Sequence, residues 1–233
     1  RALLSLDMDD IEIAQLGQRA EVRHAGVHCG ILDQMACSLL TPGQMLYLDT
    51  RSLERFLLPL PEGAELLIAD SGIARALAGS KYNERRSECE QAARLLDVPT
   101  LRDCTDPAAA DTLPHPLDKR ARHVISENAR VRDVLHADAG DFGALMNASH
   151  ASLRDNYEVS TAGLDLLVEM MQAETDVYGA KLTGAGFGGA CVALNRTGSA
   201  ERSGANVVRA FNHCGYCGRI LVPQDQSGLA DPQ

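Results

Sequence analysis

The sequence predicts an α+β protein, in which helices and antiparallel strands are mixed without a regular strand–helix repeat. Three observations lead to this fold class. Short apolar runs alternate irregularly with helical segments, two of the predicted strands are spaced as a hairpin, and a glycine-dense bend joins two extended apolar segments. Of the 233 residues, 45% are hydrophobic and 23% are charged, so the chain can form a packed core.

Charge and cysteine content narrow the classes of partner. The net charge is −10 and no Lys/Arg-rich run occurs, which argues against nucleic acid or an anionic membrane as a partner. No apolar run has the length of a membrane span, and no secretory signal is recognised. Seven irregularly spaced cysteines do not form a disulfide framework, and the single Cys214-Gly-Tyr-Cys217 motif has no second ligand pair for zinc. A reducing cytoplasm is therefore expected.

The first sixty residues predict the end of one helix, two further helices, of which the later contains Asp33, and a hairpin. Arg1–Leu6 resemble the end of a helix, and a second helix begins at the acidic cluster Asp7–Asp10 and ends near His24–Gly26. Met45–Leu48 are predicted as a strand, with Phe56–Leu60 as its hairpin partner. The apolar run Leu66–Ala69 then predicts a buried strand.

Four helices are predicted between residues 82 and 172, after which strands return. The first covers Tyr82–Leu96, and residues 98–116 are predicted as loop with a short helix near Ala108. Predicted apolar faces of the next three are Val124, Asn128, Val131 and Leu135; Phe142, Leu145, Met146, Ser149 and Leu153; and Leu164, Leu167, Val168 and Met171. A strand at Ala190–Leu194, a helix at Ser199–His213, a strand at Arg219–Val222 and a polar tail from Gln224 complete the chain.

Two glycine-bearing stretches carry the candidate chemistry. In Gly26–Gln34, Asp33 is predicted in the first turn of a helix, where a carboxylate is stabilised by the helix dipole and could orient or deprotonate a substrate hydroxyl. An ordinary acidic residue at a helix start is the alternative. His150 lies beside an apolar helix face, and a structural histidine is the favoured interpretation.

The second stretch, Thr183–Gly189, has four glycines in six residues between extended segments. Such density is expected where the backbone turns sharply or where N–H groups converge on a phosphate. It is not a Walker loop, because no Lys-Ser/Thr follows, and it is not a Rossmann fingerprint, because a strand follows it. A glycine-rich hairpin bend remains the alternative from these residues alone.

Taken together, the motifs resemble the galactokinase family. Gly26–Gln34 resembles its G-V-x-C-G-I-M-D-Q segment, and Lys181–Gly189 resembles the third motif of the wider GHMP small-molecule kinases. Ser80–Arg86 and Ser149–Ser160 are similar to galactokinase segments in the same order. The resemblance covers residues 1 to about 194.

The resemblance implies ATP- and Mg²⁺-dependent phosphorylation of the C1 hydroxyl of galactose. It implies that Asp33 is the catalytic carboxylate, that Gly30 and Tyr82 also contact the sugar, and that the acid and the glycine bend face one cleft. It implies the tail of an N-terminal α+β domain over residues 1–60, then a ferredoxin-like C-terminal domain with added helices over 61–233. The implied nucleotide-binding residues are Thr183, Gly184, Gly186, Gly188 and Gly189.

Two family motifs are not found in the chain. These are the sugar signature that usually opens such proteins and the glycine- and serine-rich motif that holds the ATP phosphates and a Mg²⁺ ligand. The chain is therefore expected to be a C-terminal portion without turnover by itself, and no metal ligand is assigned in it. A kinase for N-acetylgalactosamine or another sugar, a non-catalytic sugar-responsive regulator, and a plain α+β binding domain remain alternatives, and the oligomeric state is open.

Overall fold

The computed structural model describes residues 7–74 and 78–223, except for the side chains of residues 78–80. The chain divides into two compact units. One comprises Arg1–Leu60 with Gly79–Asn83, and the other comprises Pro61–Ala78 with Glu84–Gln233. The predicted helix end at residues 1–6 and the predicted tail from Gln224 lie outside the described residues.

The first unit contains helices α1 (Asp10–Ala20) and α2 (Leu32–Leu39) and the antiparallel hairpin β1 (Gln44–Leu48) and β2 (Arg55–Pro59). These elements confirm the predicted helices and hairpin. A capping box starts α1, because the Asp9 carboxylate accepts from the Glu12 N–H at 2.8 Å while the Glu12 carboxylate accepts from the Asp9 N–H at 2.9 Å. A π-helical turn over Glu21–Ala25 extends α1 as far as Gly26, whose φ of +67° ends it.

The core of this unit is small. Ala14, Ile31 and Met35 are its fully buried apolar residues within the described part, and they join α1, the start of α2 and the hairpin. Phe56 and Leu57 of β2 stay about half exposed. Because burial of apolar surface is the main source of stability, we expect the local stability of the first unit to be modest.

The second unit is built on a four-stranded antiparallel sheet. Its strands β3 (Ala64–Asp70), β4 (Val177–Leu182), β5 (Ala190–Arg196) and β6 (Arg219–Val222) are ordered β4-β5-β3-β6. Helix α6 (Ala162–Gln172) precedes β4, and α7 (Ala200–His213) connects β5 to β6. This strand–helix–strand–strand–helix–strand order is the ferredoxin-like arrangement expected from the resemblance.

Helices cover both faces of the sheet. Successive side chains of a strand point to opposite faces, so each face can pack against its own helices. Leu67 and Cys191 pack with α6 and α7 in the main core, whereas the adjacent Leu66 and Val192 pack with Met146 of α5 (Ala139–Asp155). All four predicted apolar residues of α6 are buried. No helix within the described residues is both long enough and apolar enough to cross a lipid bilayer.

A separate cluster joins α3 (Ala78–Leu95), α4 (Leu117–Asp133) and two 3₁₀ segments, Leu101–Asp103 and Pro107–Thr112. The predicted stripe of α3 is confirmed, since Ala92 and Ala93 are buried and Cys89 and Leu96 pack against the same cluster. The helix begins four residues earlier than its apolar pattern indicates.

The apolar face predicted for α4 is confirmed at Val124, which packs against this cluster, but is wrong toward the end of the helix. Val131 and Leu135 are 46% and 38% exposed, whereas Arg120 is 2% exposed and His123 is 6% exposed. Apolar periodicity treats charged residues as surface residues, and here an arginine and a histidine occupy the buried side. Buried polar groups of this kind require hydrogen-bond partners, which the other helices supply.

Candidate functional site

Asp33 lies at the second position of α2, directly after the loop that begins at Gly26. The residue before the helix, Ile31, provides no side-chain cap, so the first-turn N–H groups of α2 have no capping side chain. Asp33 is exposed, and among the described residues no hydrogen bond or ion pair involves its side chain. The predicted position in a first helical turn is confirmed, and the carboxylate is available to an external ligand.

The start of α3 contacts the same loop through Asn83. Its amide nitrogen donates to the Gly26 carbonyl at 3.3 Å, and its amide oxygen accepts from the His28 N–H at 3.2 Å. Tyr82, the neighbouring residue, is half-buried and belongs to the same compact unit as Asp33 and Gly30. The structure thus gathers the three predicted sugar-contacting residues in one unit. Asn83 was given no role from the sequence, although its position beside Tyr82 could have suggested one.

Gly30 has no internal structural reason to be glycine among the described residues. Its φ lies outside the left-handed range, and a Cβ built at this position meets no described atom within 4 Å. Gly26, in contrast, needs its positive φ to end the preceding helix. A glycine without a packing or backbone requirement leaves room for close approach of a ligand to the backbone. Whether Gly30 contacts a sugar stays a prediction.

The neighbouring thiol is not activated. Cys29 is half-buried, and burial together with the hydrogen bond to Glu21 raises the pKa of its thiol above the ordinary value. A thiol with a raised pKa is a poor nucleophile near neutral pH. The polar chemistry of this loop therefore depends on the carboxylate of Asp33.

The glycine-rich stretch of the second unit is a tight loop between β4 and β5. Gly184, Gly186, Gly188 and Gly189 all have positive φ, between +74° and +135°. Phe187 also has a positive φ, of +59°, and its ring is 8% exposed in the main core. The strained backbone at a large side chain is held by burial of the ring. The loop is therefore both a bend and an anchored element.

Neighbouring backbone groups fix this loop from two sides. The Phe187 N–H donates to the Val159 carbonyl at 2.7 Å, and the Gly189 N–H donates to the Ile73 carbonyl at 3.0 Å. The buried Ser71 hydroxyl donates to the Gly189 carbonyl at 2.6 Å. Within the described residues, the N–H groups of Gly184, Ala185 and Gly186 have no hydrogen-bond acceptor. Three successive N–H groups without partners are suited to bind an anion.

A polar chain beside β4 connects the strand to two helices. The Lys181 ammonium donates to the Ser149 hydroxyl at 2.6 Å, and that hydroxyl donates to the Glu127 carboxylate at 2.5 Å. Burial acts to raise the pKa of Glu127, but Lys181, Ser149 and Arg130 outweigh it and hold that pKa below its ordinary value. These hydrogen bonds connect β4 to α4 and α5, two residues before the glycine loop begins.

His150 completes the support of β4. It is 4% exposed, and its Nδ1 accepts from the Leu182 N–H at 3.4 Å. Its Nε2 lies 3.4 Å from the Asp165 carboxylate without the geometry of a hydrogen bond. Burial lowers the pKa of His150, so the neutral ring is favoured. These contacts agree with the structural interpretation of this histidine.

Metal and disulfide chemistry find no support in the described part of the chain. No group of three or more His, Cys, Asp or Glu side chains within residues 7–74 and 78–223 could hold a metal ion. All seven cysteines, including those of the Cys214–Cys217 motif, are free thiols.

Comparisons with known proteins agree with this architecture. Residues 131–214 match the family described as GHMP kinases C terminal. The chain is 43% identical over 231 residues to a galactokinase from Roseiflexus sp. (strain RS-1), covering 94% of the chain and 59% of that protein. It is 40% identical over 200 residues to a galactokinase from Actinobacillus succinogenes, covering 81% of the chain and 52% of that protein. The chain thus spans little more than half the length of these relatives.

Solved structures give the same result. Lactococcus lactis galactokinase complexed with galactose superposes with a TM-score of 0.86 at 33% identity, covering 94% of the chain and 60% of that protein. A mevalonate kinase shares the fold alone, with a TM-score of 0.58 at 18% identity, covering 94% of the chain and 58% of that protein. The described architecture is therefore similar to that of the Lactococcus lactis galactokinase, and its fold is also found in a mevalonate kinase. Residues 131–214 match the C-terminal domain family of the GHMP kinases, and the relatives that the chain resembles at 40–43% identity are galactokinases.

Proposed function

We propose that the protein containing this chain is a galactokinase, which transfers the terminal phosphoryl group of ATP to the C1 hydroxyl of galactose. The observation that carries the proposal is the similarity to the galactose-bound Lactococcus lactis enzyme, which extends over 94% of the chain. Within the first unit, the exposed Asp33 and the unconstrained Gly30 are consistent with a sugar site.

In this proposal Asp33 orients the C1 hydroxyl and accepts its proton as the oxygen bonds to phosphorus. Phosphoryl transfer depends mainly on positioning and electrostatics, so a fixed carboxylate at the nucleophilic oxygen is the principal contribution of this unit. Gly30 allows the sugar to approach the backbone, and Tyr82 contacts a sugar hydroxyl. The domain division at residues 60 and 61 belongs to the same proposal.

The glycine loop is proposed to bind phosphate oxygens of ATP. The free N–H groups of Gly184, Ala185 and Gly186 are the donors that the described residues offer. Gly188 and Gly189 shape the loop, and the Gly189 N–H is already used internally. Thr183 begins the loop at the end of β4. When bound, ATP supplies the phosphoryl group.

Mg²⁺ is expected with ATP in a kinase of this family. The described residues contain no cluster that fits a divalent cation, so we assign no ligand to it in this chain and derive no step through it. A cytoplasmic location stays a prediction, as does the common cleft for the sugar and the nucleotide.

A substrate panel tests the proposal on the longest product of the coding sequence that contains these 233 residues. ADP release is coupled to a chromogenic reaction with galactose, N-acetylgalactosamine, glucose or mevalonate as acceptor. Galactose-dependent release that exceeds the other acceptors by about tenfold supports the proposal. A preference for N-acetylgalactosamine identifies a kinase for that sugar. Binding of sugar and ATP without ADP release identifies a non-catalytic regulator.

A further inference from the structure

Four consecutive carbonyl groups in the second unit accept hydrogen bonds from three residues that lie far from them along the chain. Arg120 donates to the Asn156 carbonyl at 2.6 Å. Arg85 donates to the Tyr157 carbonyl at 2.8 Å and to the Glu158 carbonyl at 3.4 Å. The fourth carbonyl, that of Val159, accepts the Phe187 N–H of the glycine loop at 2.7 Å. Two arginines therefore bind the three peptide carbonyls that precede Val159, the residue that contacts the glycine loop.

Each of the three guanidinium nitrogens of the buried Arg120 donates a hydrogen bond. Besides the Asn156 carbonyl, it contacts the carboxylates of Glu88 at 2.6 Å and Glu158 at 2.8 Å. Arg85 shares Glu88 at 3.0 Å, so one carboxylate joins both arginines. A buried guanidinium with three acceptors is costly to disrupt, because loss of any partner leaves a buried charge or carbonyl without compensation. The arrangement is consequently rigid.

The segment needs such support because its backbone is unusual. Glu158 has a φ of +54°, in the left-handed region that residues with a side chain rarely adopt. Its carboxylate is bound by Arg120 and by Lys119, the latter at 2.9 Å. Fixed in this way, the turn directs the Val159 carbonyl toward the glycine loop.

The glycine loop packs closely against the backbone of Val159. A Cβ at Gly186 would overlap the Val159 carbonyl oxygen, which shows how closely the two backbones approach. The same oxygen accepts from Phe187, the next residue of the loop. A displacement of Val159 would therefore shift Gly186 and Phe187 together.

We propose that Arg85 and Arg120 are positioning residues, which fix the Asn156–Glu158 carbonyls and thereby place the N–H groups of Gly184–Gly186 for an anionic ligand. The ligand class is the phosphate group of a nucleotide, and this part of the inference rests on the proposed kinase function. The arginines act through Val159 and do not themselves touch the ligand.

The positioning step is tested by amide hydrogen exchange on the 233-residue chain. In Arg85→Lys and Arg120→Lys, the Phe187 N–H is expected to exchange about tenfold faster than in the parent, while the amides of β5 keep their rates. Arg122→Lys is the matched control, since Arg122 lies on the same helix as Arg120 and pairs with Asp111 at the surface. Unchanged exchange of the Phe187 N–H in both variants overturns the proposal. Equal acceleration of the Phe187 N–H and of the β5 amides also overturns it, because it indicates general destabilisation.

The two variants protect the test against misfolding. If Arg120→Lys fails to fold, as judged by the β5 amides, Arg85→Lys decides, because Arg85 touches the turn from a different helix. Exchange is independent of any kinase activity. Absence of turnover in the longest gene product therefore contradicts the proposed function, while the positioning step is still decided by exchange in the 233-residue chain.

The functional step is tested by steady-state kinetics on the longest gene product. Both variants are expected to raise the KM for ATP about tenfold, while the KM for galactose changes less than about twofold. A purely structural role would reduce the active fraction and lower kcat, leaving both KM values unchanged. That pattern, or equal rises in both KM values, contradicts the placement of the loop N–H groups by the arginines.

Discussion

The two glycine-bearing loops of this chain differ in what surrounds their glycines. At Gly30 the space that a side chain would fill contains no described atom within 4 Å. At Gly186 and Gly188 the same space is filled by the Val159 and Ile73 carbonyls. The first loop is open and the second is interlocked with its own fold. Substitutions in the first should therefore change ligand binding without changing stability, and substitutions in the second should change both.

The largest effect is expected at the acid of the open loop. Asp33→Ala in the longest gene product should lower kcat by about a thousandfold or more, because a group that orients and deprotonates the nucleophile is lost. Coupled ADP release measures the rate, and circular dichroism should show an unchanged fold.

Asp141→Ala is the matched control for this change. Asp141 is also an exposed carboxylate in a first helical turn, that of α5, so it shares the interaction with the helix dipole. Its loss should leave kcat within about twofold. Activity of Asp33→Ala within a few-fold of the parent would reject Asp33 as the catalytic group.

A pair of glycine substitutions compares the loops directly. Gly186→Ala should lower the free energy of unfolding of the second unit by about 2 kcal/mol or more, because a left-handed backbone and a filled space both oppose the methyl group. Gly30→Ala should change the stability of the first unit by less than about 0.5 kcal/mol and raise the KM for galactose about tenfold.

Amide exchange at Met35 reports the first unit, and exchange in β5 reports the second. Equal loss of stability in the two variants would remove the distinction between an open and an interlocked loop. An unchanged galactose KM in Gly30→Ala would show that the sugar does not approach this backbone.

Acidic pH should lower the stability of the second unit through His123. Its ring stacks on Tyr157 with centroids 4.4 Å apart, and its Nδ1 pairs with the Ser152 hydroxyl at 2.9 Å. Burial lowers the pKa of His123 to about 4. The unfolded chain binds a proton near pH 6.5, which the folded state does not bind until about pH 4. The stability contributed by neutral His123 is therefore complete above pH 6.5 and is lost as pH falls toward 4, by about 3 kcal/mol in total.

The variant His123→Phe isolates this contribution, since Phe keeps a ring against Tyr157 and Ser152 keeps its contact with Asn156 at 3.3 Å. The free energy of unfolding of the parent minus that of the variant, measured from β5 exchange, should decrease as pH falls from 6.5 to 4.5. The exposed His213→Phe serves as control. A difference that stays constant over this range would contradict the role assigned to burial.

Much of the fold could be predicted because apolar periodicity and glycine placement act locally. The hairpin, α6 and the β4–loop–β5 unit follow from such patterns, and Asp33 follows from helix-start chemistry. The buried side of α4 could not be predicted, because Arg120 is stabilised by Glu88 and Glu158, which lie 32 and 38 residues away along the chain. A pattern within one helix contains no information about such partners.

The smallest expected effect concerns the cap of α1, which leads into the open loop. Asp9→Ala removes the carboxylate that accepts the Glu12 N–H and should destabilise the first unit by about 1 kcal/mol. Met35 exchange should accelerate by roughly fivefold, while β5 exchange stays unchanged, because the small core of the first unit has little reserve. Asp138→Ala is the matched control, since Asp138 caps α5 in the second unit by the same contact, to the Asp141 N–H at 2.9 Å. Its loss should accelerate exchange in the second unit and leave Met35 unchanged. If either cap variant altered exchange equally in both units, the two loops would belong to one cooperative structure, and the contrast between an independent open loop and an interlocked one would not hold.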